Sequence, residues 1–431
     1  MVYMHYTQIQ RCQSRKRVVL LLTTNNMYQY ILYILLIVIF LIICFAAYVK
    51  IKFRFWNLQP VFHFYDFHYY LFPPGIIVHE LPEKNKYCNF TNIETIKYDA
   101  VSDLKMNKFV RFIKANYLQN SENCYEPKKN NIMPYFEGHN ACCFFSFYYE
   151  DELMMSLKKG TTTPTKKLVG IMTTRPLTVV INSAKSKDEC RFDVYYVDHL
   201  CVDKMHRKKG VAPQVIQTHH YNQRHYNRQI VVSLFKREDE LTGIVPLCIY
   251  NSYGFEMHGW SKPIDLMPCV ALVECGKSNI HHLFDFMREN CAKKFDICIQ
   301  PEISNLLELI RSGNIHVYMI IEAGDVKSAY FYRKSCTFIR EKCESLCCFA
   351  SINCFDRRET DIFIHGYKVA LWKICEKHGF RFTVIEETSD NYLIADALKM
   401  RTTPTIVSPT AYFFYNFAYH TFQPKKALIL H

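Results

Sequence analysis

YVDHLCVDKMHRKKGVAP, residues 196–213, is the stretch on which the reading of this chain turns. Its first part, Tyr196-Val197-Asp198-His199-Leu200-Cys201-Val202, is apolar-rich with rough period-2 alternation, which predicts a strand. Arg207-Lys208-Lys209-Gly210-Val211-Ala212 follows, and then Pro213. Proline is favoured at a first helical position, where its missing N–H would have been an orphan anyway. Residues 214–228 read as a helix. The local picture is therefore strand, basic glycine-containing turn, helix start. Such a turn suits a phosphorylated ligand. The helix start offers free N–H donors and the positive end of a dipole, Gly210 lets backbone approach closely, and Arg207, Lys208 and Lys209 add attraction. The same residues also suit an ordinary connection with a solvated basic loop, and spacing alone leaves both readings open.

Residues 207–212 fit the R/Q-x-x-G-x-G/A pattern of the GNAT acyl-CoA N-acyltransferase fold, in which this turn binds the coenzyme A pyrophosphate. The wider stretch, His199 to Lys204 and then Arg207 to Pro213, resembles the FLCVHKKLRSKRVAP segment of N-myristoyltransferases, whose two halves are both built on that fold. Phe53-Arg54-Phe55-Trp56-Asn57-Leu58-Gln59-Pro60-Val61 is similar to the KFWDTQPV motif near the start of the same family's catalytic domain. Lys167-Leu168-Val169-Gly170-Ile171-Met172 resembles its KLVGFIS strand, and the last residues, Ala427-Leu428-Ile429-Leu430-His431, resemble its terminal GLVLQ.

Bulk properties agree with a large intracellular domain. A chain of 431 residues is long enough for two or three domains, and its 15% aromatic content supplies a packed core. The net charge of +13 suits an anionic ligand or membrane surface. The basic residues form no long cluster with interleaved aromatics, so a nucleic-acid partner is not expected. The 19 cysteines are odd in number and scattered in apolar contexts, which fits a reducing compartment better than a disulfide framework. The cluster Cys343, Cys347, Cys348, Cys354 lacks a C-x2-C pair with a matching histidine, and no metal is expected there.

Residues 1–27 read as a basic N-terminal segment, and 28–50 predict a transmembrane helix. No charge appears from Val18 to Val49, and Ile31 to Val49 is almost wholly apolar, enough to cross about 30 Å of hydrocarbon. A cleaved signal peptide competes with this reading, but its apolar region would be overlong and there is no clear A-x-A site. Basic residues flank the span almost evenly, so charge does not set its orientation. The sequon Asn89-Phe90-Thr91 permits an outside placement, whereas the thiols and the basic loop favour the cytosol. Met1-Val2 carries no N-myristoylation signal.

The resemblance implies an α/β (α+β) fold of two tandem GNAT-like halves with mixed sheets, residues 51–275 and 276–431. It implies transfer of a myristoyl or other fatty acyl group from acyl-CoA to the N-terminal glycine amine of a protein, with acyl-CoA as co-substrate and no separate cofactor or metal. Arg54, Phe55, Trp56, Cys201, Val202 and Arg207 to Pro213 are then expected on the acyl-CoA side. The backbone N–H groups of His199 and Leu200 are expected to hold the oxyanion, and the terminal carboxylate of His431 to accept the amine's proton. Asn120, Glu122 and Tyr125 fall in a loop resembling the acidic NYVEDDDNMF peptide-binding loop, of which only Glu122 keeps a charge, so the preference for basic peptides should weaken. The family's Trp-His-Arg is Asn251-Ser252-Tyr253 here, and its glycine-rich GIGDG loop is Arg401-Thr402-Thr403-Pro404-Thr405. These departures leave open a second reading, a non-catalytic acyl-CoA-binding protein of the same fold at a membrane. Oligomeric state is not legible.

Overall fold

The computed structural model describes residues 29–118, 123–155, 162–182, 190–238, 243–339 and 343–431. The chain divides into two units, residues 1–59 and 60–431. In the first, a helix runs over Gln29–Lys52 and is long and apolar enough to cross a membrane. At 1.5 Å per residue it measures about 36 Å, and its apolar side chains other than Val49 stand exposed. A single 3-10 turn follows at Trp56–Leu58, with Gln59 Nε2 donating to the Phe55 carbonyl at 3.3 Å.

The second unit is built on one mixed sheet of 15 strands among the described residues. Its central members, in chain order, are β1 (Thr162–Ile181), β2 (Cys190–Val202), β3 (Val232–Glu238), β4 (Cys248–Glu256), β5 (Asp325–Ile339), β6 (Cys343–Asn353), β7 (Phe382–Glu386), β8 (Ile406–Tyr415) and β9 (Ala427–Ile429). One pattern occurs twice. A long antiparallel pair, β1 with β2, is followed by helix α1 (Val211–Tyr226) and by β3, which runs parallel to β2. The pair β5 with β6 is followed by helix α2 (Thr360–His378) and by β7, parallel to β6. Parallel neighbours need such crossovers. The expected two-halved α/β architecture is present. The halves are joined within one sheet, because β8 lies between β3 and β4 and pairs with both.

Each long pair also carries a bulge. Thr173 lies opposite His199 and Thr174 opposite Val197, so Asp198 is the extra residue in β2. Phe331 lies opposite Ala350 and Tyr332 opposite Cys348, which makes Phe349 the extra residue in β6. A bulge bends its strand and re-aims side chains.

Helix α1 differs from expectation at both ends. It begins at Val211, so Pro213 is its third residue rather than its first, and it stops at Tyr226. Proline still fits there, because all four N–H groups of the first turn lack helical partners. Gly210 is the cap residue, with φ of 81°. Val211 and Val215 pack the helix onto β1 at Gly170, where a Cβ would lie 3.1 and 3.2 Å from their methyls. Helix α2 ends at Gly379, in left-handed conformation with its N–H on the Cys375 carbonyl at 2.7 Å.

The halves are also tied outside the sheet. Asn305 Nδ2 donates to the carbonyls of Pro134, Tyr135 and Glu137, at 3.0, 3.3 and 2.7 Å. Next to this knot Gly138 has φ of +72°, and a Cβ on it would lie 2.8 Å from the Ser304 carbonyl carbon. Backbone cannot yield as a flexible side chain does. Gly138→Ala should therefore cost at least about 2 kcal/mol of stability, read as a lower urea midpoint at unchanged slope. An unchanged midpoint would show that this junction is soft.

Candidate active site

The basic turn is held from behind. Asp203 Oδ1 accepts from the Met205 N–H at 2.8 Å, shaping the turn that leaves β2. Arg207 donates through Nε to the Val202 carbonyl at 3.3 Å and through Nη2 to the Asn116 carbonyl at 2.6 Å. Its guanidinium is thus engaged by the end of the Asp103–Asn116 helix. Lys208, at φ of 62°, Lys209 and Gly210 are exposed, and nothing lies within 4 Å of a Cβ placed on Gly210. Cys201 packs with Phe109 and Phe147, while Val202 packs with Val211 and Val215, so both side chains are core. Ala212 and Leu200 pack at the edge of that second cluster.

Beneath the bulge lies a polar chain. Asn222 Nδ2 donates to Thr95 Oγ1 at 3.0 Å, and Thr95 Oγ1 meets Ser146 Oγ at 2.7 Å. His219 links Ser146 through Nδ1 at 2.8 Å to Thr174 through Nε2 at 2.9 Å, and the Thr174 hydroxyl donates to Gln223 Oε1 at 2.8 Å. Thr174 spends its proton on Gln223, so His219 must donate from Nε2 and accept at Nδ1. One neutral tautomer satisfies every member. The result fixes the backbone of β1 at the bulge.

Beyond the bulge opens a cavity of about 340 Å³. It gathers Tyr125, His199 and His431, three residues singled out from the sequence. Tyr125 arrives on the short strand Asn123–Tyr125, paired to β5. His199 faces Tyr117 and Tyr125 and is 9% exposed. Its backbone N–H and its Nδ1 both lie 3.2 Å from Thr173 Oγ1. His431 is 3% exposed. It follows β9, which lies parallel to Ile297–Gln300, and the Leu430 N–H donates to the Ile299 carbonyl at 2.7 Å. Arg54, Phe55 and Trp56 belong to the N-terminal unit, and Asn120 and Glu122 lie outside the described residues.

The cavity's charges were not foreseen from the sequence. Glu386, on β7, accepts from Arg333 Nη2 at 2.9 Å, Lys236 Nζ at 3.1 Å and Tyr250 Oη at 2.7 Å. Burial pushes its carboxyl up, but Lys236, Arg333 and Tyr250 outweigh that and hold it at about 2. Arg333 Nη1 also reaches His431, at 3.2 Å from Nε2 and 3.4 Å from an oxygen of its carboxylate. Arginine only donates, so this Nε2 carries the lone pair. Burial, with Arg333, Lys236 and Arg175 nearby, keeps the His431 ring neutral by pushing its pKa well below the usual value. Arg175 and Asp198 form a second pair, with Arg175 Nε 3.0 Å from each carboxylate oxygen. Burial raises the Asp198 pKa against the pull of Arg175. The signal was available: isolated charges inside apolar strands, as at Arg175, Asp198, Arg333 and Glu386, are seldom buried without a purpose.

A larger cavity, about 500 Å³, is lined by Met257, Trp260, Trp372 and Phe380 and holds none of the residues expected at the catalytic, acyl-CoA or peptide sites. No cluster suited to a metal occurs among the described residues, and their cysteines are free thiols.

Acid should act on this interior in two windows. Burial lowers the pKa of His199 to about 4, helped by Arg175, and those of His219 and His220 to about 3, from 6.5. The unfolded chain binds more protons below pH 6.5, so stability falls from there and the loss levels off near pH 3–4. Glu386 adds a loss that begins below its usual 4.5 and runs to about 2. The thermal midpoint should drop steadily from pH 7 to 4.5, and Glu386→Gln should flatten only the part below 4.5. A midpoint flat over pH 7 to 4.5 would contradict the neutral buried histidines.

No protein-family model and no curated protein sequence matches the chain. Solved structures do. A crystal structure of Saccharomyces cerevisiae N-myristoyltransferase with bound myristoyl-CoA superposes with TM-score 0.63 at 12% identity, covering 86% of this chain and 94% of that one. A second, also with myristoyl-CoA, gives 0.64 at 13%, covering 86% and 90%. A third, with myristoyl-CoA and inhibitors, gives 0.65 at 14%, covering 86% and 92%. Identity this low speaks for the backbone alone, and on that ground the chain has an N-myristoyltransferase-like fold.

Proposed function

We propose that this protein transfers a fatty acyl group, myristoyl by resemblance, from acyl-CoA to the N-terminal glycine amine of a protein. One observation carries the reading. The bulged strand that bears His199 and Leu200 runs from the wall of a charged cavity straight into the basic turn and the start of α1. Carbonyl chemistry and pyrophosphate binding thus have adjoining places. Lys208, Lys209 and the N–H groups after Gly210 are assigned to the CoA phosphates, with Arg207 bracing the turn. Arg54, Phe55 and Trp56 are assigned to the acyl-CoA side on resemblance, and Tyr125, Asn120 and Glu122 to the peptide side.

The chemistry asks little more. The ammonium of an N-terminal glycine, pKa near 8, gives its proton to the His431 carboxylate. The amine nitrogen attacks the thioester carbonyl carbon, and the oxyanion is held by the backbone N–H groups of His199 and Leu200, each such donor typically giving about 3 kcal/mol. The C–S bond breaks, CoA leaves as thiolate, and the proton from nitrogen restores it to a thiol. The His199 N–H must exchange its bond to Thr173 Oγ1 for the oxyanion. The Gln29–Lys52 helix is assigned as a single-pass anchor with the second unit in the cytosol, where thiols stay reduced. The bond to Thr173 also favours the second reading, an acyl-CoA-binding protein without transfer, because the donor is already taken.

A transfer assay on the full chain with labelled myristoyl-CoA and glycine peptides decides between them; acyl-CoA binding without transfer to any peptide would sink the enzyme. Deleting His431 moves the terminal carboxylate back one residue, about 3.4 Å. It should lower kcat at least about 100-fold with acyl-CoA affinity intact. Gly210→Glu places a carboxylate at the phosphate turn in left-handed backbone, and acyl-CoA affinity should fall at least about tenfold. Unchanged affinity in that variant would remove the phosphate assignment.

A further inference from the structure

Arg175 is wholly buried, yet neither of its terminal nitrogens, Nη1 and Nη2, has a hydrogen-bond partner among the described residues. It lines the cavity that holds His199 and His431. A guanidinium has five N–H groups in a rigid fork. Here Asp198 occupies the Nε side, with both oxygens at 3.0 Å. The rings of Tyr135 and Tyr196, with centroids 5.3 and 5.5 Å from Cζ, hold the plane. What has no partner among the described residues is the Nη1–Nη2 edge, itself buried. Leaving such donors unmet in a protein interior is costly. The neighbouring cations are spoken for: Arg333 by Glu386 and His431, Lys236 by Glu386 and Glu238.

The geometry of that edge names its ligand. Two parallel N–H groups match the two oxygens of a carboxylate. Asp198 already balances the charge of Arg175, so recognition would come from directed hydrogen bonds and not from bulk attraction. A dianion such as a phosphate would meet Asp198 and Glu238, which also line the cavity. The monoanion is favoured. Arg175 and Thr173 lie two residues apart on one face of β1, about 7 Å, and Thr173 is opposite His199. The anion would therefore sit about one residue's reach from an amine poised at the His199 strand.

We propose that the acceptor of this protein carries a carboxylate within one residue of its reactive amine, and that the Nη1–Nη2 edge of Arg175 receives it. This rests on the acyl-transfer reading for the word acceptor, but binding tests it separately. Fluorescent peptides beginning Gly-Glu, Gly-Gln and Gly-Lys would be titrated onto the full chain saturated with a non-transferable thioether analogue of acyl-CoA. Gly-Glu should bind at least about tenfold tighter than Gly-Gln, with Gly-Lys weakest. In Arg175→Lys, which keeps the charge and loses the fork, the Glu-over-Gln ratio should fall below about threefold. Each ratio is taken on one protein, so a general loss of folding does not imitate it. Competition by free glycine but not by glycinamide would place the carboxylate on a free amino acid. A Gly-Glu preference with no such competition would place it on a peptide side chain. Equal binding of Gly-Glu and Gly-Gln, binding of none, or a preference that survives Arg175→Lys would overturn the assignment. A preference with no transfer in the enzymatic assay would sink the transferase and leave the carboxylate site standing.

Discussion

Parallel pairing between β2 and β3 runs through only three rungs and stops at Tyr196 with Leu234. The cavity in this fold depends on that stop. Past it, β2 is bonded on the β1 side and loses its neighbour on the other. The bulge at Asp198 falls just beyond the last rung and turns the strand as it leaves. Unfilled space inside a sheet is normally intolerable, because backbone donors and acceptors must be met. Side chains from both halves, with His431 at the end of the last strand, close around this gap and leave a cavity where a continuous ladder would have left none.

The cost of that space appears as buried charge. Glu386 joins residues from β3, β4 and β5 through Lys236, Tyr250 and Arg333, and its backbone carbonyl accepts from Asn391 Nδ2 at 2.8 Å. Desolvating these groups is expensive, and such a cluster contributes less to net stability than to fixing one arrangement among several. Removing a single member leaves the others stranded, so the cavity behaves as a unit. Arg333 couples it to His431, which makes the position of the last residue a property of the whole cluster.

Much of the fold was legible. Alternation at residues 196–202 and the glycine before α1 gave the strand, turn and helix of the first unit in the right place. The helix of the N-terminal unit was equally plain, since a long uncharged apolar run has few other uses. Register was not legible. Nothing local marks Asp198 as a bulge, and the insertion of β8 between β3 and β4 is set by packing between distant segments. The site was half legible for the same reason. His199 and His431 came from motifs, whereas Arg175, Lys236, Arg333 and Glu386 lie on four strands, and their meeting follows only from strand order.

The place of β8 has a consequence for biosynthesis. β3 and β4 are close in sequence, yet the strand that joins them is added only as the chain nears residue 415. At about 5–20 residues per second, the nascent N-terminal half waits roughly 8–32 seconds with the facing edges of β3 and β4 unpaired. An open edge of that kind invites pairing with other chains. This protein should therefore depend on chaperones while it is being made more than its finished, closed sheet would suggest. Mutations that slow its translation after residue 256 should lower its yield without changing the stability of the molecules that fold.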